Sequence, residues 1–234
     1  MQPLASVPSR TEQVYNSIRD SICDCTLEPG RHLVQEELAA TLNVSRQPVQ
    51  QAMLLLKNDG LVVERGGRGL YVASIDRTDM IHHYQIRMVL DALAARLVAE
   101  RAAADMAFKA RLRKEGDAIL TVGAGAEKFG DAVEAVRHDV AFHSFIYEMS
   151  GNPLIGPTAE GHWLFLRRVM IGVLLHADRG SLVWAQHGDI LDALVAGELE
   201  RGAALATEHV TGAQQALIEA IDSGKAQGLF EAAG

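Results

Sequence analysis

The spacing of apolar residues indicates both helices and β-strands in the first 75 residues of this sequence, whereas it indicates only helices after Ser74. Before that point, three short helical segments precede two β-type runs, 61–64 and 70–73, which flank a loop rich in glycine and arginine. Such runs predict a β-hairpin, and three helices followed by a hairpin are the plan of a winged helix-turn-helix. The exclusively helical pattern after Ser74 predicts an all-α bundle. We therefore predict a mainly α chain, with a winged helix-turn-helix over 10–75 and an antiparallel all-helical bundle over 76–229.

The first predicted helix extends from Thr11 to about Cys23. Val14, Ile18 and Ile22 recur at four-residue spacing, as on one face of a helix. Thr11 is the expected N-cap, because a threonine hydroxyl can accept a hydrogen bond from the first helical turn. The other expected elements of this domain are an extended piece over 31–34, a helix over 36–42, and a third helix that Ser45 caps and that ends near Lys57.

The second half of the chain has helical period, a high alanine content and almost no strand pattern. Glycine, proline and aspartate clusters interrupt the period and predict the ends of helices. They imply about six helices. No internal repeat is apparent in this half of the sequence. The expected breaks lie near 104–105, 123–125, 151–153, 178–181 and 196–198.

Charge and cysteine content limit the function classes. The net charge of −8 divides into −1 for residues 1–75, from 7 basic and 8 acidic residues, and −7 for the remainder, from 15 and 22. A near-neutral first domain can present a local basic face, although the whole-chain charge gives DNA binding no support of its own. Cys23 and Cys25, one residue apart, suit neither a structural disulfide nor a cysteine zinc site. With no apolar run of about 20 residues and no secretory signal over 1–9, we expect a cytoplasmic protein without a membrane segment.

The third predicted helix has the two faces of a recognition helix. Arg46, Gln47 and Gln50 fall near its N-terminal end, opposite its apolar residues, where a recognition helix meets base edges. Arginine suits guanine and glutamine suits adenine in the major groove. A solvated helix beside a surface hairpin would also carry scattered polar residues, so the ordered set of elements supports DNA binding more than this helix alone. The apolar face consists of Val49, Ala52, Met53 and Leu56.

The hairpin loop is the expected wing. Arg65, Arg68 and Gly69 are placed to approach phosphate or the minor groove, because glycine lets a backbone come close. Arg31 and Ser45 complete the set of residues that we predict to contact DNA.

Four short motifs mark the first half of the chain: Leu-Glu-Pro-Gly at 27–30, Glu-Glu-Leu-Ala at 36–39, Val-Ser-Arg-Gln-Pro-Val at 44–49 and Gly-Arg-Gly at 67–69. With these motifs, the stretch 14–72 resembles the DNA-binding domain of the GntR family of bacterial regulators. The helical remainder resembles the C-terminal ligand-binding (FCD) domain of the FadR-type branch, so the resemblance covers nearly the whole chain. It implies a homodimer that binds two half-sites of a palindromic operator. The family often has arginine where this chain has Gln50, so operator preference is expected to differ.

Four side chains of the second half have ligand character. Asp139 and His143 stand four residues apart on an apolar-periodic helix, so they share one face. His187 and His209 belong to two later helices. Three imidazoles and a carboxylate suit zinc, nickel, manganese or iron and leave positions for an exogenous ligand. Spacing alone leaves their convergence open, because a single histidine is more often a core or surface residue.

The resemblance extends to these four residues, since the segments that contain them look like the metal-binding subset of the family. It implies a divalent transition metal, zinc or nickel, bound by all four side chains. The remaining histidines match no ligand position: His32, His82, His83, His138, His162 and His176.

Arg87 is a candidate for binding an effector carboxylate through a bidentate contact. An ordinary ion pair with Asp91 explains this arginine equally well. Similar domains of the family often bind organic acids, so the resemblance implies a small carboxylate as effector. The helical spacing of the aromatic residues nearby favours plain core positions over a pocket lining. The candidates for that lining are Trp163, Phe165, Arg167 and His176.

Together these features predict a ligand-gated, DNA-binding transcriptional regulator and not an enzyme. An effector shifts DNA affinity only if it prefers one arrangement of the two reading heads over another. Two alternatives stay open: a regulator for which the metal itself is the signal, and a metal-dependent hydrolase whose ligands activate water. The hydrolase alternative lacks an obvious general base beside the ligands and leaves the winged helix unexplained.

Overall fold

The computed structural model of the protein describes residues 8–67, 69–128, 130–174 and 180–223. The chain divides into two compact units between Ile75 and Asp76. The described residues are mainly helical and contain one small sheet, which lies in the first unit. The prediction of a mainly α fold is therefore confirmed. No helix among the described residues is long and apolar enough to cross a membrane.

Three helices open the first unit, and the first of them begins earlier than predicted. Ser9 is its N-cap, because the Ser9 hydroxyl accepts the Glu12 N–H at 3.2 Å and the Glu12 carboxylate accepts the Ser9 N–H at 2.6 Å. This capping box satisfies two backbone donors, so Thr11 is not the cap. Thr11 instead donates to the Gln51 side chain at 2.7 Å. The helices are α1 Arg10–Cys23, α2 Gln35–Thr41 and α3 Arg46–Asn58.

A three-stranded antiparallel sheet follows in the order β1-β3-β2, from β1 His32–Leu33, β2 Val62–Arg65 and β3 Gly69–Val72. The predicted hairpin is confirmed, since Arg65 pairs with Gly69 next to the turn. Positive φ angles at Gly66 and Gly67, +64° and +68°, explain the glycines of this turn. The pairing of β1 with β3 was not predicted, because two residues are too few for an alternating pattern.

The core of the first unit contains the apolar faces that the sequence predicts. Val14, Ile18 and Ile22 of α1 are buried, and they share one cluster with the apolar face of α3 and with Leu33 and Val72 of the sheet. Burial of these side chains orients α3 so that its other face, with Gln47 and Gln50, remains exposed.

Six helices form the second unit within the described residues, as expected. The longest, α4, packs against each of the other five. An inward-facing polar residue of α4 therefore lies at the centre of the bundle. The helices are α4 Arg77–Ala104, α5 Met106–Lys128, α6 Ala132–Met149, α7 Ile155–Leu174, α8 Gly180–Ala196 and α9 Leu199–Asp222.

One expected break is wrong, because α5 continues through 123–125. Gly123 serves packing, since a Cβ atom at this position would overlap the ring of Trp184 on α8. The chain instead leaves the helix further on, where Gly130 has a φ of +72°. The expected break at 178–181 lies partly outside the described residues, and α8 begins at Gly180.

Candidate metal centre and DNA-reading face

Three helices bring the four predicted metal ligands together. α6 carries Asp139 and His143, α8 carries His187 and α9 carries His209. One ligand atom of each residue lies within 4.8 Å of the others, and all four residues are buried. The convergence that the sequence left open is therefore present in the fold.

The facing atoms are three imidazole nitrogens and a carboxylate oxygen. The Nε2 atom of His187 lies 3.2 Å from Nε2 of His209 and 3.4 Å from Oδ1 of Asp139. Nε2 of His143 lies 4.0 Å from the same Asp139 oxygen. The other oxygen of Asp139 is buried without a hydrogen-bond partner among the described residues, which is costly for an acceptor. Imidazole nitrogens and carboxylate oxygens are ligand atoms that divalent transition metals bind. Three histidines together with an unsatisfied carboxylate therefore fit such an ion.

The protonation states of the cluster also suit a cation. Burial, and then the positive charge of Arg87, lowers the pKa of His143 well below its ordinary value. The pKa of His187 is lowered in the same way by burial and by its two histidine neighbours. Both imidazoles are therefore neutral near pH 7, so each has a lone pair for a metal. Burial raises the pKa of Asp139 to about 6 against the opposing attraction of Arg87, so this carboxylate is largely ionised at pH 7.

Residues that the sequence analysis did not assign to the site contact the Nδ1 atoms of the clustered histidines. The Nδ1 atom of His143 lies 3.1 Å from Oδ2 of Asp91, without the alignment of a hydrogen bond. The other oxygen of Asp91 accepts a hydrogen bond from the Tyr147 hydroxyl. Gln186 Oε1 lies 3.1 Å from Nδ1 of His209. Such contacts hold an imidazole so that its Nε2 atom faces the other members of the cluster.

A signal for part of this support was present in the sequence. Asp91 follows Arg87, and Tyr147 follows His143, by one helical turn. Polar residues at that spacing on an apolar face belong to the same buried side of a helix. Gln186 has no comparable signal, because it adjoins His187 in sequence and reaches His209 on another helix.

Arg87 lies beside the cluster and is only 2% exposed. Its Nη2 atom is 2.7 Å from Nε2 of His143, and its Nε atom is 3.4 Å from Oδ2 of Asp91. The guanidinium lies over the Trp163 ring, 4.3 Å from the ring centroid. Its Nη1 atom has no hydrogen-bond partner among the described residues. The ion pair with Asp91 is therefore present, and effector binding by Arg87 stays a prediction.

The other residues considered for the pocket lining lie in different environments. Trp163 is buried, as a core position requires, and also contacts Arg87. Phe165 stacks on His83 at 4.3 Å instead, where the Nδ1 atoms of His83 and His162 are 2.9 Å apart. Arg167 is half-buried. His176 lies outside the described residues.

The predicted DNA-reading residues of α3 form one exposed edge. Ser45 is the N-cap, as predicted, but its side chain makes no capping hydrogen bond. Arg46, Gln47 and Gln50 are exposed. The Nη2 atom of Arg46 lies 2.6 Å from Oε1 of Glu36 on α2, and both side chains face solvent.

The predicted wing residues have different environments. Arg65 is exposed and donates a hydrogen bond to the Ser74 hydroxyl at 2.7 Å. Gly69 is required by packing, because a Cβ atom there would lie 2.7 Å from the Tyr71 ring and 3.0 Å from the His32 ring. Arg31 is exposed beside β1, whereas Arg68 lies outside the described residues.

Sequence comparison agrees with both halves of this architecture. Residues 10–72 match the family described as "Bacterial regulatory proteins, gntR family", and residues 82–212 match "FCD domain". An HTH-type transcriptional regulator in an unstable DNA locus of Streptomyces ambofaciens is 31% identical over 207 residues, which cover 84% of this chain and 80% of that protein. The HTH-type transcriptional repressor RspR of Escherichia coli K12 is 26% identical over 183 residues, 78% of either chain.

Solved structures show the same fold. Escherichia coli McbR/YncC superimposes with a TM-score of 0.76 at 22% identity, over 91% of this chain and 99% of that chain. A GntR transcriptional regulator from Rhodococcus sp. RHA1 has a TM-score of 0.74 at 25% identity, with the same coverage. The chain therefore belongs to the GntR family of bacterial regulatory proteins, with an FCD domain as its second half, and is a transcriptional regulator.

Proposed function

We propose that this regulator changes its affinity for operator DNA when a small carboxylate binds beside a metal ion in the second unit. The observation that carries the proposal is the buried convergence of Asp139, His143, His187 and His209 next to Arg87. In this proposal residues 10–75 bind DNA, and residues 76–229 bind the metal and effector and hold the dimer. Such a regulator acts in the cytoplasm, where bacterial DNA is found.

Zinc or nickel is the proposed metal. Neutral imidazoles and one carboxylate are ligands that both ions accept, and four protein ligands leave room for exogenous donors on an ion that takes five or six. When bound, the ion supplies a fixed positive charge that attracts an anion. The chain itself supplies the lone pairs of His143, His187 and His209, and it excludes water because all of these side chains are buried.

The proposed effector is a small organic acid, and Arg87 is its proposed partner. The Nη1 atom of Arg87 has hydrogen-bond capacity to spare, and the Trp163 ring holds the guanidinium plane in place. A planar fork of N–H donors matches a carboxylate. Because the site is buried, a compact acid fits it better than a long one.

Arg46, Gln47 and Gln50 are the proposed base-reading residues, since they project from the exposed N-terminal end of α3. The other proposed DNA contacts are to phosphate or the minor groove. Arg31, Ser45, Arg65, Arg68 and Gly69 make up that second set.

A homodimer is the proposed assembly, because two reading heads are needed for two half-sites. Ile86, Val89 and Leu93 of α4 are 45%, 66% and 40% exposed. Their spacing of three and then four residues forms one apolar stripe along the helix. We propose that a second copy of the chain covers this stripe.

The test is binding of purified protein to an operator selected from random DNA, with metal and candidate carboxylates added separately and together. We expect operator affinity to change by about 5- to 150-fold with metal and the correct acid. His209→Ala should abolish the response, whereas Glu208→Gln, an exposed neighbour on α9, should retain it. Unchanged affinity under every condition would contradict effector gating. A full response to metal alone would favour the metal-responsive alternative.

A further inference from the structure

Arg87 already occupies the His143 nitrogen that a metal would need. The Arg87 Nη2 atom is 2.7 Å from Nε2 of His143, the shortest of its contacts with the cluster. The distance from Nε of Arg87 to Oδ2 of Asp91, 3.4 Å, and the distance from Nη2 to Oδ2 of Asp139, 3.9 Å, are longer. All of these side chains are buried, so water does not screen the contact.

The chemistry of the two side chains fixes the direction of this hydrogen bond. Arginine donates only, and a neutral imidazole has one donor nitrogen and one acceptor nitrogen. Nε2 of His143 must therefore be the acceptor, and the proton lies on Nδ1, where it faces the Asp91 carboxylate at 3.1 Å. Metal coordination by His143 would use the same Nε2 lone pair.

We infer that Arg87 and the metal ion compete for the Nε2 lone pair of His143, so that metal loading releases the Nη2 atom of Arg87 to bind an anion. This inference rests on the proposed metal site. It assigns Arg87 a second role, as an internal competitor that keeps metal affinity moderate. It also links binding of the metal ion to binding of the carboxylate effector. Once Nη2 of Arg87 is released, the guanidinium has two free donor atoms and can bind a carboxylate in a bidentate way.

Charge acts in the same direction as the hydrogen bond. A guanidinium beside a divalent cation is repelled, and burial leaves that repulsion poorly screened. Losing a hydrogen bond to a charged donor typically changes an equilibrium by about 10- to 100-fold. Removing the competitor should therefore raise metal affinity by about that factor.

The experiment is titration of the chelator-treated protein with zinc alone and with nickel alone at pH 8, by calorimetry, with no carboxylate present. The variants are Arg87→Met, which removes the donor, and Arg87→Lys, which keeps the charge near Asp91 and Asp139 on a side chain without the planar fork. Arg137→Met is the control, because Arg137 is exposed on the same helix as His143. Circular dichroism checks that each variant is folded.

We expect Arg87→Met to bind metal about 10-fold more tightly than the wild type or more. Arg87→Lys, which keeps the charge and a donor, should gain less, and the Arg137 control should match the wild type. If Arg87→Met does not fold, Arg87→Lys decides the matter. Metal binding by the wild type that is equal to or tighter than that of the folded Arg87 variants would overturn the competition and leave the metal site intact. Absence of binding in every chain would overturn the metal site and the competition together.

A second readout uses the wild type. The guanidinium protons of Arg87, assigned by their absence from Arg87→Lys, should shift in the nitrogen-15 NMR spectrum when zinc is added. Unchanged Arg87 resonances in a protein that binds zinc would also overturn the competition.

Discussion

Asp91 of α4 and His143 of α6 meet in the centre of the second unit, where Oδ2 of the carboxylate lies 3.1 Å from Nδ1 of the imidazole. The Tyr147 hydroxyl donates to the other oxygen of Asp91 and holds the carboxylate in place. Burial, followed by the charge of Asp91, raises the pKa of Tyr147, so this hydroxyl keeps its proton. An acceptor oxygen at this point favours the tautomer of His143 with its proton on Nδ1, and so directs the Nε2 lone pair towards the other members of the cluster.

Asp91→Asn should weaken metal binding by about 10- to 100-fold, as loss of a partner behind a histidine ligand usually does. The amide has no charge and can present its NH₂ group to Nδ1, which favours the wrong tautomer. Zinc affinity measured by calorimetry on folded protein checks this. Glu100→Gln, an exposed carboxylate on the same helix, is the control and should bind zinc as the wild type does. Equal affinities in the two variants would contradict the role of Asp91.

Asp139→Asn should stabilise the metal-free protein above about pH 6. The folded pKa of Asp139, about 6, is higher than the ordinary value of 3.8, so the fold favours the protonated form. Ionisation of the buried carboxyl therefore lowers the free energy of unfolding. This loss of stability is absent below about pH 4, grows as the pH rises to about 6 and is complete above it. The amide avoids a penalty of roughly 1–3 kcal/mol, since one pKa unit corresponds to about 1.4 kcal/mol.

Urea unfolding with chelator present, at pH 4 and pH 8, measures this difference. The variant and the wild type should have similar stability at pH 4, and the variant should be more stable at pH 8. Zinc should then stabilise the wild type but not the variant, because a ligand has been lost. A variant that is less stable than the wild type at pH 8 without metal would show that Asp139 does not carry the expected penalty.

Arg46→Ala should weaken binding to the selected operator by about 1–3 kcal/mol, if Arg46 reads a base. Discrimination against altered base pairs should fall at one position of each half-site. Arg111→Ala removes an equal charge from an exposed ion pair of the second unit and serves as the control. A uniform loss across all sequences would assign Arg46 to phosphate instead.

Glu36→Gln should strengthen operator binding by up to about fivefold, because an exposed ion pair is worth at most about 1 kcal/mol. The change frees Arg46 from its 2.6 Å contact with Glu36. Glu37→Gln removes the same charge from the adjacent exposed position. An equal gain in both variants, measured by fluorescence anisotropy, would show that general charge and not the ion pair sets the affinity.

Val89→Glu should convert the proposed dimer to a monomer. A carboxylate in the middle of the apolar stripe of α4 would be buried against its symmetry copy, at a cost that the interface cannot offset. Light scattering after size-exclusion chromatography gives the mass. Leu182→Glu, at an exposed apolar residue of α8, should leave the mass unchanged. A Val89→Glu variant that keeps the wild-type mass would exclude this surface as the interface.

The sequence by itself determined the features that depend only on residues close together in the chain. The period of Val14, Ile18 and Ile22 defined a buried face, and the four-residue step from Asp139 to His143 placed two ligands together, because the pitch of a helix is constant. The hairpin could also be predicted, since its turn and both strands are contiguous in the chain.

Only the tertiary structure decided which distant groups meet. His187 and His209 reach Asp139 because α6, α8 and α9 pack around α4, and no local rule encodes that packing. Gly123 illustrates the same limit, since a glycine that suggests a helix end is instead the space into which the Trp184 ring fits. Helix pitch is a property of the backbone alone, whereas convergence depends on how side chains of separate helices fill a shared volume.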